Sequence, residues 1–296
     1  MPVRALNQFL KDKSKADSIR LLAKTTVGID AYAWLKRITP KEWAVPFIGG
    51  IPATLFSVID TEIGRFTSAE IRPVFVFAGI TAASRELASE LRDAASESRS
   101  LAWKLMYGNE DSKTEAKNRA RSSSTVTGEM INAVISHLRA RDVAVIRAPY
   151  SALHQLALLH KQNFFSAIMG GGELLLALGA VGFPMGNLVL DIDWERQKVE
   201  WLQYATLLGD LKMPHEQFLD ACLLAGLDGA TFAGLQQPSF KFAARPVPFA
   251  LAIPPTGDRV SQAPGPNKNE TWAQAVLKGR AMMQHQMVLE RHCCAP

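Results

Sequence analysis

The chain has 296 residues, 48% of them hydrophobic and 21% charged, which excludes wholesale disorder and leaves room for one large α/β domain with appendages or for two small domains. The formal charge of +5 is spread thinly, so it permits nucleic-acid contact without marking a dedicated binder, which would concentrate its surplus in a patch. Cys222, Cys293 and Cys294 give no disulfide framework, the opening MPVRALNQFLKDKSK is too broken by charge for a signal peptide, and a reducing, cytoplasmic setting is expected.

Thr26 to Asp30 (TVGID) reads as a strand, followed by a short helix carrying Trp34 and Leu35. Gly49 and Gly50 introduce a helix with Leu55, Val58, Ile59 and Ile63 on one face, and Pro73 to Phe77 (PVFVF) is a second buried strand. Residues 80–126 form a long polar excursion, helical at first and then rich in Ser, Lys and Arg. Val143 to Ile146 and Phe165 to Met169 supply two more strands, each after a helical segment. Continuous Val/Ile/Phe runs alternating with helices predict a mainly parallel twisted sheet covered on both faces. Phe164 to Val189, the most apolar stretch, is broken by Gly170 to Glu173 and by Pro184, and reads as buried strand and helix rather than as a membrane span. Val189 to Ile192 and Lys198 to Trp201 look like a hairpin at a sheet edge, and Pro214 starts a helix that Gly226 can end. Residues 236–271 are Pro-rich and read as a surface segment; a helical pattern within 272–296 closes the chain.

Four blocks carry a family resemblance. TVGIDAYAWLKR (26–37), IRPVFVFAG (71–79), RAPYSALHQLA (147–157) and FLDACLLAGLDG (218–229) resemble, in order and spacing, the conserved blocks of the flap endonuclease/XPG nuclease superfamily. Within it, MPVRALNQFL and FIGGIPATL followed by IRPVFVFAG are most similar to the Mkt-type post-transcriptional regulators. The resemblance implies a PIN/flap-endonuclease-like, doubly wound α/β fold: a nuclease-like domain over 1–235 with an arch-like insertion at 80–126, then the Pro-rich segment and the C-terminal helix. Mkt-type members usually extend beyond this length, so an N-terminal portion of a longer protein is expected.

Active members of the superfamily gather carboxylates at the sheet's carboxyl edge, because hard divalent cations take oxygen ligands and a metal pair clamps the attacking and leaving oxygens. Carried over position by position, Asp30 keeps the first acid and Asp228 the last. The others fall on Ala78, Ser151, Leu153, Gly172 and Leu174, with Glu173 out of register. Two vestigial acids do not make a catalytic metal pair, so no catalytic residue, metal or cofactor is expected. Strand-end acids such as these more often cap a helix. The Gly170–Gly172 run could cradle a phosphate, but it lacks the Lys and Ser/Thr of a P-loop and reads as a degenerate metal loop. His154 and His160 share no helix face, and His285, His292, Cys293 and Cys294 lack zinc-finger spacing. Met282, Met283 and Met287 suit core packing or partner docking.

The excursion holds eight basic and seven acidic residues, a poor phosphate funnel taken as a whole. The expectation is a non-enzyme: a cytoplasmic adaptor in mRNA regulation. The Mkt-type resemblance implies an ataxin-two-like, poly(A)-binding-protein-associated partner engaged through a short linear peptide, with mRNA reached indirectly and no membrane. Which surface binds it is left open. A weak or partner-completed nuclease and a direct RNA-binding module are the alternatives.

Overall fold

Alternation along each strand decides which side chains meet which helices, and here it sorts the core into two layers. The computed structural model describes residues 6–39, 45, 50–80, 97, 99–107, 113–123, 126–224, 280–281 and 288. Helix α1 (Leu6–Lys11) is followed by β1 (Lys15–Ser18), a 3-10 turn, β2 (Thr26–Asp30), α2 (Ala31–Ile38), α3 (Leu55–Ser68) and β3 (Arg72–Phe77). Then come α4 (Lys113–Ser123), α5 (Gly128–Arg139), β4 (Ala144–Arg147), α6 (Ala152–Lys161), β5 (Ala167–Met169) and α7 (Glu173–Ala180). The hairpin β6 (Asn187–Asp193) and β7 (Lys198–Gln203) leads into α8 (Tyr204–Leu211) and α9 (His215–Leu224).

The seven strands form one sheet in the order β1-β7-β6-β5-β2-β3-β4. Every pairing from β6 through β4 is parallel, and β7 runs antiparallel to both its neighbours. The doubly wound, mainly parallel α/β architecture read from the sequence is therefore the fold. Val27, Ile29, Phe75, Phe77, Ala167 and Met169 face α2, α3 and α5. Val74, Val76 and Ile168 face the opposite layer, built from α1 and α6 to α9. Right-handed crossovers account for this division. The chain moves from β2 to β4 with its helices on one face, then reverses direction through β5 and β6 with α6 and α7 on the other.

Gly28 is where the second layer comes closest to the sheet. A Cβ there would lie 2.6 Å from the Phe165 ring and 2.7 Å from Leu156 Cδ2, so only glycine admits that packing. Three helix-to-strand turns use a non-glycine residue in the left-handed region, Glu70, Asp142 and Asn163, just before β3, β4 and β5. On α3 the fully buried residues are Leu55, Ile59 and Phe66, while Val58 and Ile63 stand at the rim of that face.

Two expectations need correction. The β6–β7 hairpin is not at the sheet edge, because β1 pairs antiparallel with β7 and covers it. All four β1 residues, KADS, are exposed, so no hydrophobic pattern announced the strand. The Ser/Lys/Arg-rich half of the excursion is also helical: residues 99–106 and α4 meet through Ala102, Ala120 and Met106. The first half of the excursion (81–96), the Pro-rich segment 236–271 and nearly all of 272–296 lie outside the described residues, as do Gly226, Met282, Met283, Met287, His285, His292, Cys293 and Cys294. Among the described residues no helix is long and apolar enough to cross a membrane.

Candidate functional site

The winding reverses between β2 and β5, and a crevice opens outside the carboxyl ends of strands at such a switch point. Asp30 ends β2 and Met169 ends β5, and both line a cleft of about 240 Å³. Ile29, Trp34, Met169 and Leu190 give it apolar walls, while Asn7 and Lys11 approach from α1. Arg37 and Asp191 face each other in the lining, with Arg37 Nη1 donating to Asp191 Oδ1 at 2.7 Å.

Asp30 is the helix cap of α2, as expected for a strand-end acid. Its Oδ1 accepts from the backbone N–H of Tyr32 at 3.1 Å and of Ala33 at 3.5 Å. The residue is only 8% exposed. Burial pushes its carboxyl up from 3.8 to about 6, against the two backbone donors that pull it down, and the charge of Glu173 adds to the rise. Glu173, out of register by sequence, is thus an electrostatic neighbour of Asp30, and its Oε2 lies over Gly171.

Most of the remaining positions named from the sequence lie in caps, core and close packing. Ala78 is exposed at the end of β3. Ser151 caps α6: its Oγ accepts from the His154 N–H at 3.5 Å and lies 3.0 Å from His154 Nδ1. Leu153 packs against the core, and Leu174 is fully buried there. Gly172 lies under α1. A Cβ on it would meet Leu10 Cδ1 at 2.5 Å and Leu6 at 3.0 Å, and its N–H donates to Asn7 Oδ1 at 2.8 Å. Gly170 is similarly tight, its would-be Cβ 2.7 Å from Leu174 Cδ1 and 3.0 Å from Asp30 Cβ. Asp228 lies outside the described residues.

A pair of divalent ions does not fit this arrangement. Among the described residues no three His, Cys, Asp or Glu side chains are placed to hold one ion. The space an acid at Gly172 would need is filled by two leucines. The Gly170–Gly172 amides are also largely spoken for: Gly170 N–H donates to the Val189 carbonyl at 3.1 Å and Gly172 N–H to Asn7. His160, considered with His154 as a ligand pair, is instead locked inside the fold. Its Nδ1 lies 2.8 Å from the Phe165 carbonyl, and its Nε2 accepts from the Asn187 N–H at 3.0 Å.

The sequence names Asp30 and the other positions but not what surrounds them. The α1 contact and the Arg37–Asp191 pair join residues 165 and 154 apart in sequence, and neither falls in a recognisable motif.

Comparison with known proteins agrees with this geometry. Residues 1–99 match the XPG N-terminal domain. The "Post-transcriptional regulator MKT1" of Cryptococcus neoformans var. grubii is 26% identical over all of this chain and 40% of its own length. "Exonuclease 1" of Xenopus laevis is 29% identical over 77% of this chain and 31% of its own length, so the chain spans less than half of either relative. Among solved structures, the catalytic core of Rad2 in complex with DNA substrate superposes with a TM-score of 0.55 at 18% identity, covering 82% of this chain and 66% of that one, which is a likeness of fold. These matches make the chain similar to XPG-like proteins over its first third, and to an MKT1-type regulator along its whole length.

Proposed function

We propose that this chain is a catalytically inactive, nuclease-like adaptor in cytoplasmic post-transcriptional regulation of mRNA. In this reading it recruits an ataxin-two-like, poly(A)-binding-protein-associated partner through a short linear peptide and promotes stability or translation of the bound transcripts. The observation that supports it is the fate of the carboxylate positions. Ser151 is a helix cap, Leu153 and Leu174 belong to the core, and Gly172 is roofed by Leu6 and Leu10. A fold whose metal loop has become a packing surface for its own first helix is suited to binding rather than hydrolysis. The name of the MKT1 relative points the same way.

Incubation of the protein with flap and single-stranded substrates in Mg²⁺ or Mn²⁺ is expected to give no turnover. Cleavage that Asp30→Ala abolishes would instead establish a weak or partner-completed nuclease. Recruitment is tested by affinity purification from cell extract with and without ribonuclease. Retention of the poly(A)-associated partner after ribonuclease supports a protein contact, and complete loss points to tethering by RNA.

One observation favours a second reading, direct RNA contact. Trp103 and Tyr107 stack at 6.0 Å between ring centroids, and Tyr107 is 83% exposed. From 99 to 123 the excursion carries six basic residues against three acidic, so its surplus is concentrated in this half. Exposed rings among cations suit single-stranded bases. That reading predicts a gel shift lost steeply with salt and weakened by Tyr107→Ala.

A further inference from the structure

The cleft at the switch point holds a buried carboxylate with an unused acceptor. Asp30 Oδ1 carries both capping bonds, and Oδ2 has no hydrogen-bond donor among the described residues. Asp30 is more than nine-tenths buried, and the surface it retains belongs to the cleft lining. A carboxylate left in that condition is costly in its charged form and is relieved by a donor-rich cation.

The neighbouring charges determine what could enter. Glu173 adds negative charge from the start of α7. Arg37 is occupied by Asp191 at 2.7 Å, and Asp191 Oδ1 also accepts from the Ile192 N–H at 3.0 Å, leaving Asp191 Oδ2 as a second open acceptor among the described residues. Lys11 is exposed at the rim. With Arg37 paired to Asp191 and Lys11 facing water, the one buried charge in the cleft lining among the described residues is the Asp30 carboxylate. The cleft's walls are apolar and its volume, about 240 Å³, admits one long side chain.

We infer that this cleft is a socket for one arginine side chain of a peptide partner, with Asp30 Oδ2 accepting from the guanidinium and Ile29, Trp34, Met169 and Leu190 enclosing its aliphatic stem. Arginine suits it better than lysine. A guanidinium presents five donors in a fixed fork and is weakly hydrated, so it can satisfy more than one acceptor in a confined site, whereas an ammonium is a compact, strongly hydrated point charge. The socket deepens the adaptor reading by assigning it a contact surface, and it rests on that reading for the identity of the partner as a protein.

The test uses the full chain labelled with ¹⁵N, titrated separately with Nα-acetyl-arginine amide, Nα-acetyl-lysine amide and Nα-acetyl-citrulline amide. Citrulline has the shape of arginine without its charge. Saturable shifts of the Gly170 and Gly171 amides and the Trp34 indole are expected with arginine, weaker ones with lysine and none with citrulline. Asp30→Asn keeps the helix cap and is expected to weaken arginine binding by roughly tenfold or more, the loss of a charge-assisted hydrogen bond. Ala33→Leu fills the cleft from α2, leaves the carboxylate in place and is expected to abolish the shifts. Equal shifts with citrulline or lysine, shifts elsewhere on the protein, or no saturable shift overturn the inference.

A parallel purification from ribonuclease-treated extract, with wild type and Asp30→Asn, separates the two readings. Recovery of the same partner by both proteins, with no arginine-specific shift, removes the socket and leaves the adaptor. Arginine-specific binding without any recovered partner removes the adaptor and leaves the socket.

Discussion

Asp30 combines two roles whose energetics oppose each other. As a cap it stabilises α2 through Tyr32 and Ala33; as a buried acid it disfavours its own charge. Its carboxyl titrates near 6 in the folded chain against an ordinary 3.8, so the folded state holds the proton more tightly. The stability this confers is fully present below 3.8 and is lost as pH rises through about 6. Asp30→Asn keeps an effective cap and removes the charge, and is expected to stabilise the protein at pH 7 by about 1–3 kcal/mol, with the gain vanishing near pH 4. Chemical denaturation of both proteins across that range reads the difference; a gain independent of pH would mean that charge burial is not the cause. His160 behaves in the opposite sense. Burial lowers its pKa, against the Phe165 carbonyl that raises it, and its Nε2 must stay unprotonated to accept from Asn187. Its contribution is present above 6.5 and is lost as pH falls through the lowered value. In His160→Gln the acid limb of the stability profile is expected to flatten although the variant is weaker at pH 7; His215, lowered by burial, and Asp60, lowered against desolvation by its hydrogen bonds to His137 and Arg141, keep part of the slope, and Asp30 opposes it.

Helix α1 closes the cleft from one side. Leu6 and Leu10 are fully buried, and Asn7 accepts from Gly172, so the first helix occupies the space beside the Gly170–Gly172 loop. Gly172→Asp restores an acid at its family position but drives its side chain into two leucines. It is expected to destabilise by roughly 2–4 kcal/mol from overpacking and an apolar setting for the charge, with Mg²⁺ giving no recovery in thermal denaturation. Ala78→Asp, at an exposed position, is expected to change stability by less than about 0.5 kcal/mol. A rise in midpoint with Mg²⁺ in either variant would show a loop still competent for metal. The legibility of the elements follows the same physics. Strands β2, β3 and β5 are buried on both faces and declare themselves as unbroken apolar runs, whereas β1 is an all-exposed tetrapeptide fixed only by pairing with β7. The site divides likewise. Ala78, Ser151 and Leu153 could be placed one at a time because they sit in local blocks. The proximity of Glu173 to Asp30 and the docking of α1 are tertiary facts with no local pattern to carry them.

Across the whole molecule, the reversal of winding at β2 and β5 puts the cleft at the centre of the sheet, and the layer on one side of it takes in residues far apart in the chain. α1 joins that layer from the N-terminal side, and Arg280 reaches it from the C-terminal side. Arg280 Nε donates to Asp220 Oδ1 at 2.7 Å, and Nη2 engages the other carboxylate oxygen. Asp220 is 3% exposed on α9, and the bond to it holds the Arg280 guanidinium's pKa above its ordinary value, against partial burial and with help from the charges of Asp220 and Glu216. A buried carboxylate that loses its cation is left with its full desolvation penalty. Arg280→Met is therefore expected to destabilise the protein by roughly 2–4 kcal/mol. Asp220→Asn in the same chain removes the stranded charge, and the double variant is expected to recover at least about half of that loss, giving a coupling of about 1–2 kcal/mol in the double-mutant cycle. Urea denaturation of the four proteins measures it. Additive effects would mean that the ion pair is incidental to the fold, whereas strong coupling makes Arg280 part of the same cooperative unit as α9 and the helical layer it belongs to.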